Sequence, residues 1–171
     1  IADRLRDVYR AAERARPRTF VNLDMEEYRD LELTLRAFMH VLDEPELRHV
    51  DAGIVLQCYL PDAYDALQRL SAWAARRRDA GGGVVKVRLV KGANLAMEKV
   101  DAALHHWHQA PFTTKEEVDA TYKRCLDWVL TPENLTGLRI GVASHNLFDM
   151  AWAHLLARQR GVSDRVEMEM L

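Results

Sequence analysis

Five short apolar runs alternate with amphipathic stretches along this chain, and that alternation constrains the fold more than any other feature. The runs cover residues 19–24, 52–59, 84–90, 138–143 and 165–171. Between them, apolar residues recur at helical spacing. Leu5, Val8, Tyr9 and Ala12 mark a helix over 3–16, stopped by Pro17. Leu31, Leu35, Phe38, Met39 and Leu42 mark the next, which closes near Pro45. Pro61 and Asp62 open a third, with Ala63, Leu67, Leu70 and Ala74 expected to face inward. Further helices are predicted at 94–108, 114–130 and 147–160. A capping box from Thr113 with Glu116, or Thr114 with Glu117, opens the second of these.

Short apolar strands joined by helices imply an α/β fold with a parallel sheet covered by helices. Two architectures satisfy the pattern: an open doubly wound sheet and a closed (βα)8 barrel. Five strands would complete an open sheet in 171 residues. A barrel needs roughly 250 residues, so periodicity by itself favours the open sheet. No repeat, low-complexity tract or linker divides the chain, and residues 1–171 read as one domain.

Composition narrows the function. A net charge of −2 offers no basic excess for nucleic acid. Cys58 and Cys125 are too few for a disulfide framework and favour a reducing, cytoplasmic setting. No run approaches the roughly 20 apolar residues of a membrane span. The chain starts at Ile1 rather than Met and ends at Leu171 in an apolar run, so we expect a segment of a longer chain.

Polar residues gather where the strands end: Asp24, Gln57, Arg88 leading into Lys91, Gly92 and Ala93, then Ser144, His145 and Asn146, and finally Glu167 and Glu169. In parallel α/β folds, ligands bind at that end of the sheet. Glu167 and Glu169, two apart, share one face. Lys91, Gly92 and the helix start that follows suit an anion such as a diphosphate. Neither a Walker loop nor a dinucleotide fingerprint is present, and Gly81 to Gly83 precede a strand.

Each residue also admits a structural role. Asp24 could cap a helix, Arg88 could pair with Asp24 or Glu169, Gln57 could satisfy buried backbone groups, and His145 could be a hydrogen-bonded structural histidine. His105, His106 and His108 lack the companion ligands of a zinc site, and no metal is expected. Arg76 to Arg78 read as a solvated helix end, and the Trp and Met residues mostly as core.

Five segments in order, Val21–Glu27, Gly53–Tyr59, Val87–Asn94, Ala143–Asn146 and Val166–Leu171, resemble successive barrel strands of the proline dehydrogenase family, in particular the proline dehydrogenase domain of bifunctional PutA-type proteins. The resemblance implies a partial, FAD-binding (βα)8 barrel domain running from about helix 1 to strand 6. It implies oxidation of L-proline to Δ1-pyrroline-5-carboxylate, with hydride passing from proline C5 to flavin N5 and electrons to a quinone. By position, Asp24 and Arg88 match the catalytic acid and the arginine beside flavin N5. Met25, Gln57, Lys91, Gly92, Ala93, Ser144 and His145 match cofactor contacts, and Leu89 and Leu171 match apolar contacts to the proline ring. The family's first-strand lysine and last-helix Arg-Arg pair have no counterpart here. Asn94 stands where some members have Tyr, and Ser144 where they have Thr.

The resemblance further implies peripheral contact with the inner face of the cell membrane and fusion to a Δ1-pyrroline-5-carboxylate dehydrogenase domain. Two other readings remain open: a catalytically silent barrel segment serving as scaffold in a larger bifunctional protein, and a barrel enzyme for a phosphorylated ligand.

Overall fold

The computed structural model describes residues 1–170. Helix α1 (Ala2–Arg14) leads into β1 (Val21–Leu23), a 3-10 turn (Tyr28–Asp30) and α2 (Leu31–Leu42). Then come β2 (Ala52–Gln57), α3 (Ala63–Asp79), β3 (Val85–Val90), α4 (Leu95–His105), α5 (Lys115–Val129), β4 (Leu138–Ala143), α6 (Leu147–Gln159) and β5 (Val166–Glu169). The expected strand at 19–24 shortens to three residues, paired to β2 from Val21 opposite Ala52 to Leu23 opposite Ile54. The helix expected over 94–108 stops at His105 because His106 turns left-handed, at φ 55°.

Strand order settles the architecture. The five strands lie side by side in sequence order, and every pairing is parallel. A doubly wound sheet reverses direction at a switch point. Here none occurs, and right-handed crossovers in one direction put all the helices on one face. The sheet is therefore a run of consecutive strands from a (βα)8 barrel wall, as the family resemblance implied and unlike the open sheet that periodicity by itself favoured.

Burial agrees in β3 and β4. In β3, Val85, Val87 and Leu89 are fully buried, while Lys86, Arg88 and Val90 are only partly covered. In β4, Leu138, Ile140 and Val142 are buried, and Arg139 between them is exposed. One set of side chains packs beneath the helices; the alternate set lines the concave face, which would be the lumen of a barrel.

The core lies between the sheet and its helices. Ala63, Leu67, Leu70 and Ala74 of α3 are buried as expected. Phe38 of α2 meets Trp73 of α3 edge-on at 5.7 Å, and the Trp73 indole N–H donates to the Asp43 carboxylate at 2.9 Å. The capping box on α5 uses the second of the two expected pairs. The Glu117 N–H donates to Thr114 Oγ1 at 3.3 Å, and the Thr114 N–H donates to Glu117 Oε2 at 3.1 Å. Thr114→Ala should cost about 1 kcal/mol, read as a lower urea midpoint with unchanged cooperativity.

Two sequence expectations need correction. The Arg76–Arg78 triplet is not uniformly solvated: Arg77 is buried, and its guanidinium donates to the carbonyls of Leu42, Leu47 (3.1 Å) and Val50 (2.9 Å). Nor are all Trp and Met residues core: Met97 and Trp107 stand exposed on and after α4, a helix with no buried residue. Among the described residues, no helix is long and apolar enough to cross a membrane.

Candidate active site

Strand parity builds the site. Asn22 of β1, Gly53 of β2, Lys86 and Arg88 of β3, Gly141 of β4, and Glu167 and Glu169 of β5 fall on the lumenal face. Register sets Arg88 opposite Gly141, and Gly141 opposite Glu167. Gly141 has no side chain, so the charged groups of β3 and β5 reach each other across β4. A Cβ at 141 would collide with Glu169 Oε1 and lie 3.0 Å from Glu169 Cδ and 3.2 Å from Lys86 Cε. Only glycine leaves that gap open.

The groups meeting there form a ladder of alternating charge. Lys86 Nζ lies 2.6 Å from Glu167 Oε2 and 2.8 Å from Glu169 Oε1. Arg88 Nε donates to Glu169 Oε2 at 2.5 Å. Arg88 Nη1 is 3.9 Å from Asp24 Oδ1, and Asp24 in turn accepts from Asn22 Nδ2 at 3.0 Å. Burial works to raise the Glu169 carboxyl, but its bonds to Lys86 and Arg88 outweigh that and hold it below the usual glutamate range. Lys86 mirrors it: burial works to lower the ammonium, and bonds to Glu167 and Glu169 raise it on balance.

The sign of the pH effect follows. Glu169 has a depressed folded value, so its stabilisation is present above the unfolded glutamate value, about 4.3. It is lost as pH falls through the folded value. Urea unfolding should show stability declining below about pH 4.3, with a shallower decline in Glu169→Gln.

The residues marked in the sequence divide sharply. Asp24 and Arg88 come together at the rim, and Asp24 stays well exposed. Ala93 and His145 are exposed at the same end of the sheet. Ser144 Oγ accepts from the Asn146 N–H at 3.0 Å, while Asn146 caps α6 by accepting from the Phe148 N–H at 3.0 Å. Gln57 is 5% exposed; its amide donates to the carbonyls of Met25 (2.8 Å) and Glu26 (3.3 Å). It clamps the segment carrying Asp24, the structural role considered for it.

At four positions the surroundings differ from those the resemblance implied. Leu89 points to the helix side of β3 and is fully buried, because the pleat sends it opposite Arg88; it offers no surface to a lumenal ligand. Met25 has its side chain in the core at 6% exposure. Lys91, on the same parity as Leu89, turns under the helices, where Nζ lies 2.5 Å from Asp119 of α5 and 2.7 Å from Asp149 of α6. Two carboxylates neutralise it, so its charge is not the anion seat expected. Gly92, at φ 128°, lies against the Tyr59 ring, where a Cβ would approach ring carbons to 2.6 Å and 2.9 Å. Its glycine is accounted for by that packing. Leu171 lies outside the described residues.

Sequence reading missed Lys86 and the carboxylates of Asp119 and Asp149. Lys86 was detectable, since it stands two residues before Arg88 just as Glu167 stands two before Glu169. Asp119 and Asp149 carried no signal, because tertiary packing alone brings α5 and α6 to Lys91. Among the described residues, no group of three or more His, Cys, Asp or Glu is arranged to hold a metal ion. His105 stacks on Trp107 at 4.4 Å.

Comparison with known proteins adds an independent line. The family model described as proline dehydrogenase matches residues 2–171. Proline Utilization A (PutA) from Corynebacterium freiburgense superposes with a TM-score of 0.94 at 54% identity, covering 99% of this chain and 18% of that one. PutA from Bdellovibrio bacteriovorus, solved after inactivation by N-propargylglycine, gives 0.88 at 37% identity, with 99% and 17% covered. The human protein "Proline dehydrogenase 1, mitochondrial" is 41% identical over 91 residues, which is 53% of this chain and 14% of that protein. The chain thus spans less than a fifth of each of these relatives.

Proposed function

The chain belongs to the proline dehydrogenase family, and from that premise we propose that the protein carrying it oxidises L-proline to Δ1-pyrroline-5-carboxylate with FAD. Residues 1–171 would form part of one FAD-binding barrel domain. The observation that carries this reading is Arg88: a lumen-facing guanidinium at the C-terminal rim, bonded to Glu169 and 3.9 Å from Asp24.

The donor set fits a flavin. Arg88 presents a fixed cation toward the open end of the sheet, where a planar, electron-accepting ring would gain from positive charge. The exposed backbone of Gly92 and Ala93 and the side chain of His145 supply hydrogen-bonding groups at the same rim. Ser144, locked in its turn with Asn146, would shape that edge. Met25 and Lys91 would act through backbone atoms, since their side chains are committed elsewhere. When bound, FAD supplies the two-electron acceptor that no side chain can provide.

The chain's own residues bind and orient. Proline C5 would give up hydride toward flavin N5, and the amine proton would leave to solvent, so that a C=N bond forms in the ring. Arg88 would hold positive charge beside the accepting edge. Asp24, exposed at the rim, would face the substrate amine and Arg88 together. Leu171 is the remaining apolar contact proposed for the proline ring. The wider reading extends to quinone as electron acceptor, contact with the inner face of the cell membrane, and fusion to a second dehydrogenase domain. The fusion draws on the PutA relatives; the quinone and the membrane contact draw on the family resemblance alone.

The test is the visible spectrum of the full-length purified protein before and after anaerobic addition of L-proline. Flavin bands that bleach with proline are the expected result. A colourless protein, or a flavin that proline leaves oxidised, would overturn the proposal and favour a silent scaffold barrel or another substrate.

A further inference from the structure

We propose that Glu169, backed by Lys86, is the positioning residue that fixes the Arg88 guanidinium and sets how much of its charge reaches a ligand at the rim. This inference rests on the flavin reading above.

Asp24 and Glu169 are the two carboxylates near Arg88, and the geometry gives the orienting role to Glu169. Asp24 is 67% exposed and 3.9 Å from Arg88, a separation at which a solvated pair holds nothing firmly. Glu169 is 20% exposed and accepts directly from Arg88 Nε at 2.5 Å. A bond at Nε fixes the fork near its root and leaves the terminal nitrogens to face the rim.

Glu169 is itself divided between two cations. Its Oε1 lies 2.8 Å from Lys86 Nζ, while its Oε2 takes Arg88. Lys86 therefore draws part of the carboxylate's charge, and Arg88 stays less neutralised than it would be in an isolated pair. Lys86 is only 17% exposed, so water screens this division weakly. Gly141 makes the arrangement possible, since any side chain there would occupy the space that Glu169 and Lys86 fill. If the ladder were merely a staple between strands, one pair would suffice. The second cation on Glu169 is the feature that a tuning role explains.

The test uses the full-length flavin-loaded protein with Glu169→Gln, Lys86→Met and the two combined. Glu169→Gln keeps an acceptor oxygen for Arg88 Nε but removes the charge. The flavin midpoint potential should move positive, because excess positive charge favours the reduced form, and kcat/KM for proline should fall on the order of tenfold as the bond that anchors Arg88 loses its charge. Lys86→Met should move the potential negative. The combined variant, with net charge restored, should return it toward the parental value. Stapling alone predicts lower stability in every variant with potentials unchanged, and that result would overturn the inference. Should Glu169→Gln fail to fold, the direction of the Lys86→Met shift still decides. A parental protein without flavin would sink the underlying reading before any variant is made.

Discussion

Arg88→Met is expected to lower kcat/KM for proline by about 100-fold or more, the usual cost of removing a preorganised charge from a site where charge develops, while the fold survives. The structure separates the two effects. Glu169 retains Lys86 at 2.8 Å when Arg88 is removed, so no half-buried carboxylate is left unpaired. Methionine fills the volume of the arginine stem. The stability loss should stay within about 1 kcal/mol. Arg88→Lys should recover only part of the activity, because lysine keeps the charge but loses the fork bonded at Nε. Steady-state kinetics and urea unfolding on the same preparations check both halves. Activity within about threefold of the parent, a difference of under 1 kcal/mol, would remove Arg88 from the reaction.

The largest loss of stability is expected from Arg77→Met. Arg77 is 3% exposed, and its guanidinium serves three carbonyls, those of Leu42, Leu47 and Val50, around the connection from α2 to β2. Burial pushes its pKa down, but a guanidinium remains charged at any ordinary pH. Methionine preserves much of the stem while deleting every donor and the guanidinium that lies 5.6 Å from the Trp73 ring centroid. Each buried carbonyl left bare costs about 1–3 kcal/mol, so the total should reach about 3 kcal/mol or more even if water reaches one of them. The neighbouring Arg76, exposed on the same helix, is the control: Arg76→Met should change stability by no more than about 0.5 kcal/mol. Equal effects at the two positions would show that the carbonyl bonds contribute nothing.

That contrast between adjacent arginines shows where sequence reading stops. Arg76, Arg77 and Arg78 are chemically identical and consecutive, and periodicity places them all in the last turn of α3. Which one turns inward depends on where α2 and its following loop leave carbonyls unpaired, and those residues lie some 30 positions away. The same limit governs the site. Arg88 and Asp24 were legible as strand-end residues. Leu89, one residue further on, was carried over by resemblance although the pleat turns it to the opposite face. Lys91 looked like a free cation until α5 and α6 supplied Asp119 and Asp149.

The sequence by itself determined which segments become helix and which become strand, that α1 stops short of Pro17, that a capping box opens α5, and that polar groups crowd the strand ends. These depend on backbone preferences and side-chain spacing within a few residues, so a linear reading captures them. Tertiary structure showed the consecutive strand order of a barrel wall, which periodicity could not separate from an open sheet and which only the family resemblance implied. It also decided which parity faces the lumen, and the passage of Glu169 across Gly141 to reach Lys86 and Arg88. Those features depend on free energies of contact between residues up to 81 positions apart, which no local spacing encodes.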